Sequence, residues 1–107
     1  MTEGRIQDEI MLALNGPDVV VFRNNVGKAE LNGRWVAFGV GGPGGSDLVC
    51  VVCGCAVFIE VKTPIGKLRP DQVRFRNLVQ AKGAEFVVLR SADDARAWLA
   101  NFRARQS

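Results

Sequence analysis

The chain has 107 residues, 48% hydrophobic and 23% charged, a balance that describes one globular domain with a modest core. A net charge of +3 and an isoelectric point near 9.1 permit a polyanionic partner. With no His and no Tyr, the chain excludes His-based acid–base catalysis, a Ser-His-Asp triad, His-ligated zinc and tyrosine-mediated strand transfer.

Residues 2–15 read as a helix, with Thr2 as N-cap and Asn15-Gly16-Pro17 as its stop. Ile6, Ile10 and Leu14 give it one apolar face. Glu3 lies at the edge of that face, and Glu9 falls off it. Residues 19–24 read as a strand, Asn24-Asn25-Val26-Gly27 as a turn, and residues 34–40 as a second strand. The connecting loop carries Arg23, Asn24, Lys28 and Arg34, which suit phosphate contacts and a solvated loop equally. Trp35 suits base stacking or the core. Residues 39–45 follow, with five Gly and one Pro. This is not a P-loop, because no Gly-Lys-Ser/Thr follows. It reads as a flexible loop beside the next acidic residue, where a phosphate backbone can approach closely.

The centre of the chain is Ser46-Asp47-Leu48-Val49, followed by Phe58-Ile59-Glu60-Val61-Lys62. Each piece sets a carboxylate in an apolar, β-branched run, which is costly unless the charge is paired or bound. If Cys53-Gly54 is a two-residue turn, Val52 faces Cys55 and Asp47 faces Glu60. Facing residues share a side of the sheet, with Cβ atoms about 5 Å apart. Glu60 and Lys62 also share that side. Two opposed carboxylates repel unless a cation joins them, and hard divalent ions take such oxygen ligands. A Lys beside them can orient water or offset developing negative charge.

Cys50, Cys53 and Cys55 cannot complete a tetrahedral zinc site with four ligands. They read as buried or near-turn small apolar residues in a reducing compartment. No basic-then-apolar leader precedes the first helix, and the longest apolar run, residues 48–59, is too short to span a bilayer. The expected location is the cytoplasm, with no membrane association.

A helix over 70–82 begins with Pro near its first turn, and Gln72 sits in that turn just past the strand bearing Lys62. Lys67, Arg69 and Arg74 suit phosphate contacts or a solvated face. Residues 85–90 read as a strand and 92–102 as a final helix, capped by Ser91 with an acid three residues on. The tail from Arg103 reads as frayed. The order is α-β-β-β-β-α-β-α. Strands joined without helical crossovers pair antiparallel, and the 70–82 helix can add the last strand in parallel. The fold class is therefore mixed α/β, one domain over 1–107, with helices on both sides of a mixed sheet.

Asp47…Glu60-Val61-Lys62 resembles the PD-(D/E)xK nuclease motif. The wider set adds Gly-Gly-Ser-Asp-Leu, Phe-Ile-Glu-Val-Lys-Thr-Pro-x-Gly, Gln72 and the 83–91 segment. It resembles the virus-type replication-repair nuclease (VRR-NUC) family over nearly the whole chain. The resemblance implies a restriction-endonuclease-like core and a Mg²⁺- or Mn²⁺-dependent endonuclease with no organic cofactor. It implies metal ligation by Asp47, Glu60 and the Val61 carbonyl, with Lys62 at the attacking water. It also implies a helix carboxylate at the metal, Glu3 first and Glu9 second, and a Gln72 that supports the site through Lys62 or a phosphate. By analogy the partner is DNA, in the finer reading branched (a Holliday junction or a flap), cut by a homodimer in replication or repair. The competing reading is a non-catalytic nucleic-acid-binding module or a subunit of a larger repair complex.

Overall fold

Thr2 opens the first helix by accepting a hydrogen bond from the Arg5 N–H through its hydroxyl. The computed structural model describes residues 2–106. Helix α1 spans Glu3–Leu14 and buries Ile6, Ile10 and Leu14, the spacing its sequence predicts. Five strands follow: β1 (Val19–Arg23), β2 (Gly27–Leu31), β3 (Arg34–Phe38), β4 (Leu48–Val52) and β5 (Cys55–Val61). Helix α2 (Pro70–Ala81), strand β6 (Glu85–Leu89) and helix α3 (Ala92–Gln106) complete the chain. The expected order holds, with one further strand. Residues 27–31, expected as loop, pair antiparallel with 34–38.

The main sheet has the order β1-β4-β5-β6. β1, β4 and β5 pair antiparallel, and β6 joins β5 in parallel after the α2 crossover. The β4–β5 hairpin turns on Cys53 and Gly54, both with positive φ (53° and 74°), as a type I′ turn requires. Val52 therefore pairs with Cys55 and Leu48 with Ile59.

That register sorts the side chains. Leu48, Cys50, Val52, Val57, Ile59 and Val61 point to one side, where Ile6, Ile10 and Leu14 of α1 and Ala95, Leu99 and Phe102 of α3 close the core. On the other side Phe75 of α2 makes edge-on contacts with Phe58 and Phe86. Helices thus lie on both faces. Helix α2 leaves part of its face uncovered: Val20, Phe22 and Val51 on β1 and β4 are exposed. The β2–β3 hairpin is a separate two-stranded sheet whose Leu31, Trp35, Val36 and Phe38 are all exposed.

Two expectations change. Trp35, which suited core or stacking, is 71% exposed and outside the core. The segment after residue 102, expected to fray, continues α3 to Gln106, with Ser107 outside the described residues. Long-range pairs hold it: Arg103 to Asp18 at 2.7 Å and Arg105 to Glu85 at 3.4 Å. Of the cysteines, Cys50 is buried, Cys55 half-buried and Cys53 exposed in the turn. Burial lifts the Cys50 thiol to about 11, as expected of a thiol used as a small apolar residue. No helix among the described residues is long and apolar enough to cross a membrane.

Candidate active site

The hairpin register sets Asp47, just before β4, opposite Glu60 on β5. Strand alternation turns both toward the α2 side, together with Lys62. Glu60 is 1% exposed and Lys62 5%, although both are ionisable. Such groups stay buried only where partners or ligands compensate the lost hydration.

Each carboxylate is held from one side. Asp47 Oδ2 accepts a 2.8 Å hydrogen bond from the Val61 N–H. Glu60 Oε1 accepts one at 2.9 Å from Nε2 of Gln72, itself buried in the first turn of α2. Gln72 in turn accepts from the Arg69 N–H at 2.8 Å, so one side chain caps α2 and orients Glu60. The resemblance points Gln72 at Lys62 or a phosphate. Its partner in the structure is Glu60, because the first turn of α2 lies over that carboxylate.

The other oxygen, Oε2 of Glu60, is buried and receives no hydrogen bond. Burial, first of all, and then the hydrogen bond and negative charge of Asp47 push the Glu60 carboxyl up to about 9, against the opposing pull of Lys62 and Arg69. As an acid, Glu60 has Asp47 as acceptor; as a carboxylate, it has an unpaired oxygen facing a second negative charge. The pair therefore needs one positive charge between its members, a proton or a metal ion. The donors are all hard oxygens, which suits Mg²⁺ or Mn²⁺ and suits soft metals poorly.

Among the described residues no third Asp, Glu or Cys joins the pair in a metal-holding group. Helix α1 packs with α3 on the other face of the sheet, and Glu3 in its first turn is exposed and stands outside the pair. Glu9 is engaged by Arg5, 3.6 Å away.

The candidate phosphate contacts divide. Lys67 and Arg74 are exposed on the α2 side, and Arg74 borders a shallow cleft of about 190 Å³ between α2 and the glycine loop. Arg69 is exposed at the α2 N-terminus and pairs with Asp71 at 3.3 Å. Lys28 is exposed on the β2–β3 hairpin. Arg23 is tied to Asp8 of α1. Half-buried Asn24 spends its amide on the chain itself: both ends of it bond to backbone, at Val40 in the glycine loop and at Ser46 just after it.

One residue escaped the sequence reading. Arg90, after β6, donates from Nη1 to the carbonyls of Thr63 and Gly66, each at 2.6 Å. It pins the loop that follows Lys62. A lone Arg at a strand end carries no signal for a partner more than twenty residues upstream.

No protein-family model and no curated protein matches this chain. A solved structure described as a VRR_NUC domain is similar, with 23% sequence identity and a TM-score of 0.66 over 92% of this chain and 94% of that one. The chain therefore has the fold of a VRR-NUC domain, a mixed sheet flanked by helices.

Proposed function

We propose that this chain is a divalent-metal-dependent nuclease of the PD-(D/E)xK type, acting on DNA. The observation that carries the reading is the Asp47–Glu60 pair, opposed across a hairpin, with a buried, unbonded Glu60 oxygen and Lys62 on the same strand face. A buried Glu60 opposed to a half-buried Asp47, with a buried ammonium on the same strand face, has no packing use. The VRR-NUC fold adds analogy in support.

Asp47, Glu60 and the Val61 carbonyl would hold Mg²⁺ or Mn²⁺. When bound, such an ion supplies Lewis acidity at phosphorus and an acidified water near neutral pH. Gln72 keeps Glu60 aimed at the pair. The Val61 N–H does the same for Asp47. The Lys62 ammonium would orient the attacking water and offset charge gathering on the phosphate. Glu3, in the first turn of α1, would orient water or help with a second ion. Lys28, Lys67, Arg69 and Arg74 would contact phosphates and carry most of the salt dependence of binding.

The finer reading is a structure-specific endonuclease on branched DNA, acting as a homodimer because two strands need two sites. The exposed apolar faces of the β2–β3 hairpin support self-association. The test is incubation with linear, flapped and four-way DNA, with Mg²⁺, Mn²⁺ or EDTA. The reading expects cleavage only with metal, abolished by Asp47→Asn and by Lys62→Ala without unfolding. Full activity in either variant removes the mechanism.

A second reading draws on the two-acid set: with no third acid beside the pair among the described residues, a proton could fill it permanently. The chain would then be a binding module or a subunit of a larger repair complex. DNA retardation in Mg²⁺ with no product over hours would select it.

A further inference from the structure

Asn24 sits where β1 ends, a position the sequence offers as a phosphate contact. Its bonds say otherwise. Its side-chain Nδ2 donates to the carbonyls of Val40 (2.8 Å) and Ser46 (2.9 Å), and its Oδ1 accepts from the Val40 N–H (2.9 Å). Its own backbone N–H donates to the carbonyl of Asp47 at 2.8 Å. One residue thus joins both ends of the glycine loop and grips the backbone of the acid that follows it.

The loop so closed is packed rather than free. A Cβ on Gly44 would lie 2.7 Å from the backbone oxygen of Asp71, in the first turn of α2. Gly44 also takes φ +90°, which L side chains avoid. A Cβ on Gly41 would lie 2.3 Å from the Phe75 ring. The loop therefore bears directly on the helix turn that carries Gln72. From the Asn24 side chain two contact paths reach the acidic pair: one through the Ser46 carbonyl to the adjoining Asp47, the other through the loop, Asp71 and Gln72 to Glu60; the Asn24 N–H bond to Asp47 is backbone and stays in any variant.

We propose that Asn24 is a positioning residue for the Asp47–Glu60 pair, setting its ion affinity from outside without touching ion or substrate. This rests on the nuclease reading for its activity arm and on geometry alone for its ion arm. Polar partners of metal-binding carboxylates typically matter by about ten-fold to a hundred-fold in affinity or activity.

The test uses Asn24→Ala and Asn24→Asp in the full chain. Asn24→Asp keeps the side-chain volume and the acceptor for the Val40 N–H, but it turns a carboxylate on two carbonyls. Isothermal titration with Mn²⁺ alone, without DNA, is the primary readout. Cleavage kinetics and thermal melts accompany it. The proposal expects both variants to stay folded at the assay temperature. It expects Mn²⁺ affinity to fall about ten-fold or more and kcat to fall in step, with KM for DNA changed no more than about three-fold. Wild-type Mn²⁺ affinity with a raised KM and a shallower salt slope would make Asn24 a phosphate contact and overturn the proposal. Normal Mn²⁺ affinity with only a lower Tm, or failure of both variants to fold, would make its role purely structural and overturn it too. A wild-type chain that binds Mn²⁺ but cuts nothing would defeat the nuclease reading and leave the ion arm to decide this one.

Discussion

The side-chain amide of Gln72 reaches from the first turn of α2 to Oε1 of Glu60, 2.9 Å away, while its own oxygen caps the helix at Arg69. Helix start and acid orientation are one contact. Gln72→Ala removes the hydrogen bond that Glu60 Oε1 accepts and leaves the Arg69 N–H uncapped. The expected cost is about 1–3 kcal/mol of stability, read as a lower denaturant midpoint at unchanged slope. Activity should fall about ten-fold to a hundred-fold, chiefly in kcat. A variant with wild-type midpoint and rate would separate Gln72 from the site.

The Glu60 carboxyl, lifted from 4.5 to about 9 by burial and by Asp47, makes stability depend on pH. Between those values the folded, metal-free chain holds a proton that the unfolded chain has released. Stability is therefore full below the unfolded value and is lost as pH rises through the folded one. In EDTA the Tm should fall from pH 5 toward pH 9, and Glu60→Gln should flatten that fall. Added Mn²⁺ should stabilise the wild type more at pH 8 than at pH 6, because ion and proton compete for one place. A Tm in EDTA that rises over this range would reverse the assignment.

Arg90 gives two hydrogen bonds to the loop behind Lys62, at Thr63 and Gly66. Both bonds come from one nitrogen, Nη1, so Arg90→Lys keeps the charge and a donor for each carbonyl and should lose less than Arg90→Ala. Arg90→Ala should cost about 1.5–3 kcal/mol by the usual worth of a charged hydrogen bond. Each should also lower kcat more than it raises KM. Chemical denaturation with steady-state kinetics reads both.

On the β2–β3 hairpin, Leu31, Val36 and Phe38 share one exposed face by register. Two-stranded hairpins are marginal alone in water, and the homodimer reading covers this one. Light scattering after gel filtration should give twice the chain mass. Val36→Asp with Phe38→Asp should give the monomer mass with the circular dichroism of the main domain kept. A wild-type monomer at high concentration would remove the dimer.

Much of the site's frame was legible from residue order. Gly54 marks the turn, and the indices then set Asp47 across from Glu60 with no further information. The side-chain alternation of β5 put Lys62 beside Glu60 in the same way. Strand β2 was not legible, because Lys28, Ala29 and Glu30 lack the β-branched character that marks a strand. The last turn of α3 looked free because its anchors, Asp18 and Glu85, lie far away in sequence. Asn24 misled for a related reason. Asn at a strand end predicts a local turn, whereas its partners lie 16 and 22 residues downstream. Local pattern reads elements and faces; it does not read which distant carbonyl a side chain will find.

The central claim is that Asp47 and Glu60 hold one divalent ion between them. Titration of Mn²⁺ into the metal-free wild type at pH 8, beside Asp47→Asn and Glu60→Gln, tests it most directly. The account predicts saturable binding in the wild type with proton release, and loss of that binding in both variants. Wild-type binding that survives either substitution, or no binding at all, would contradict it.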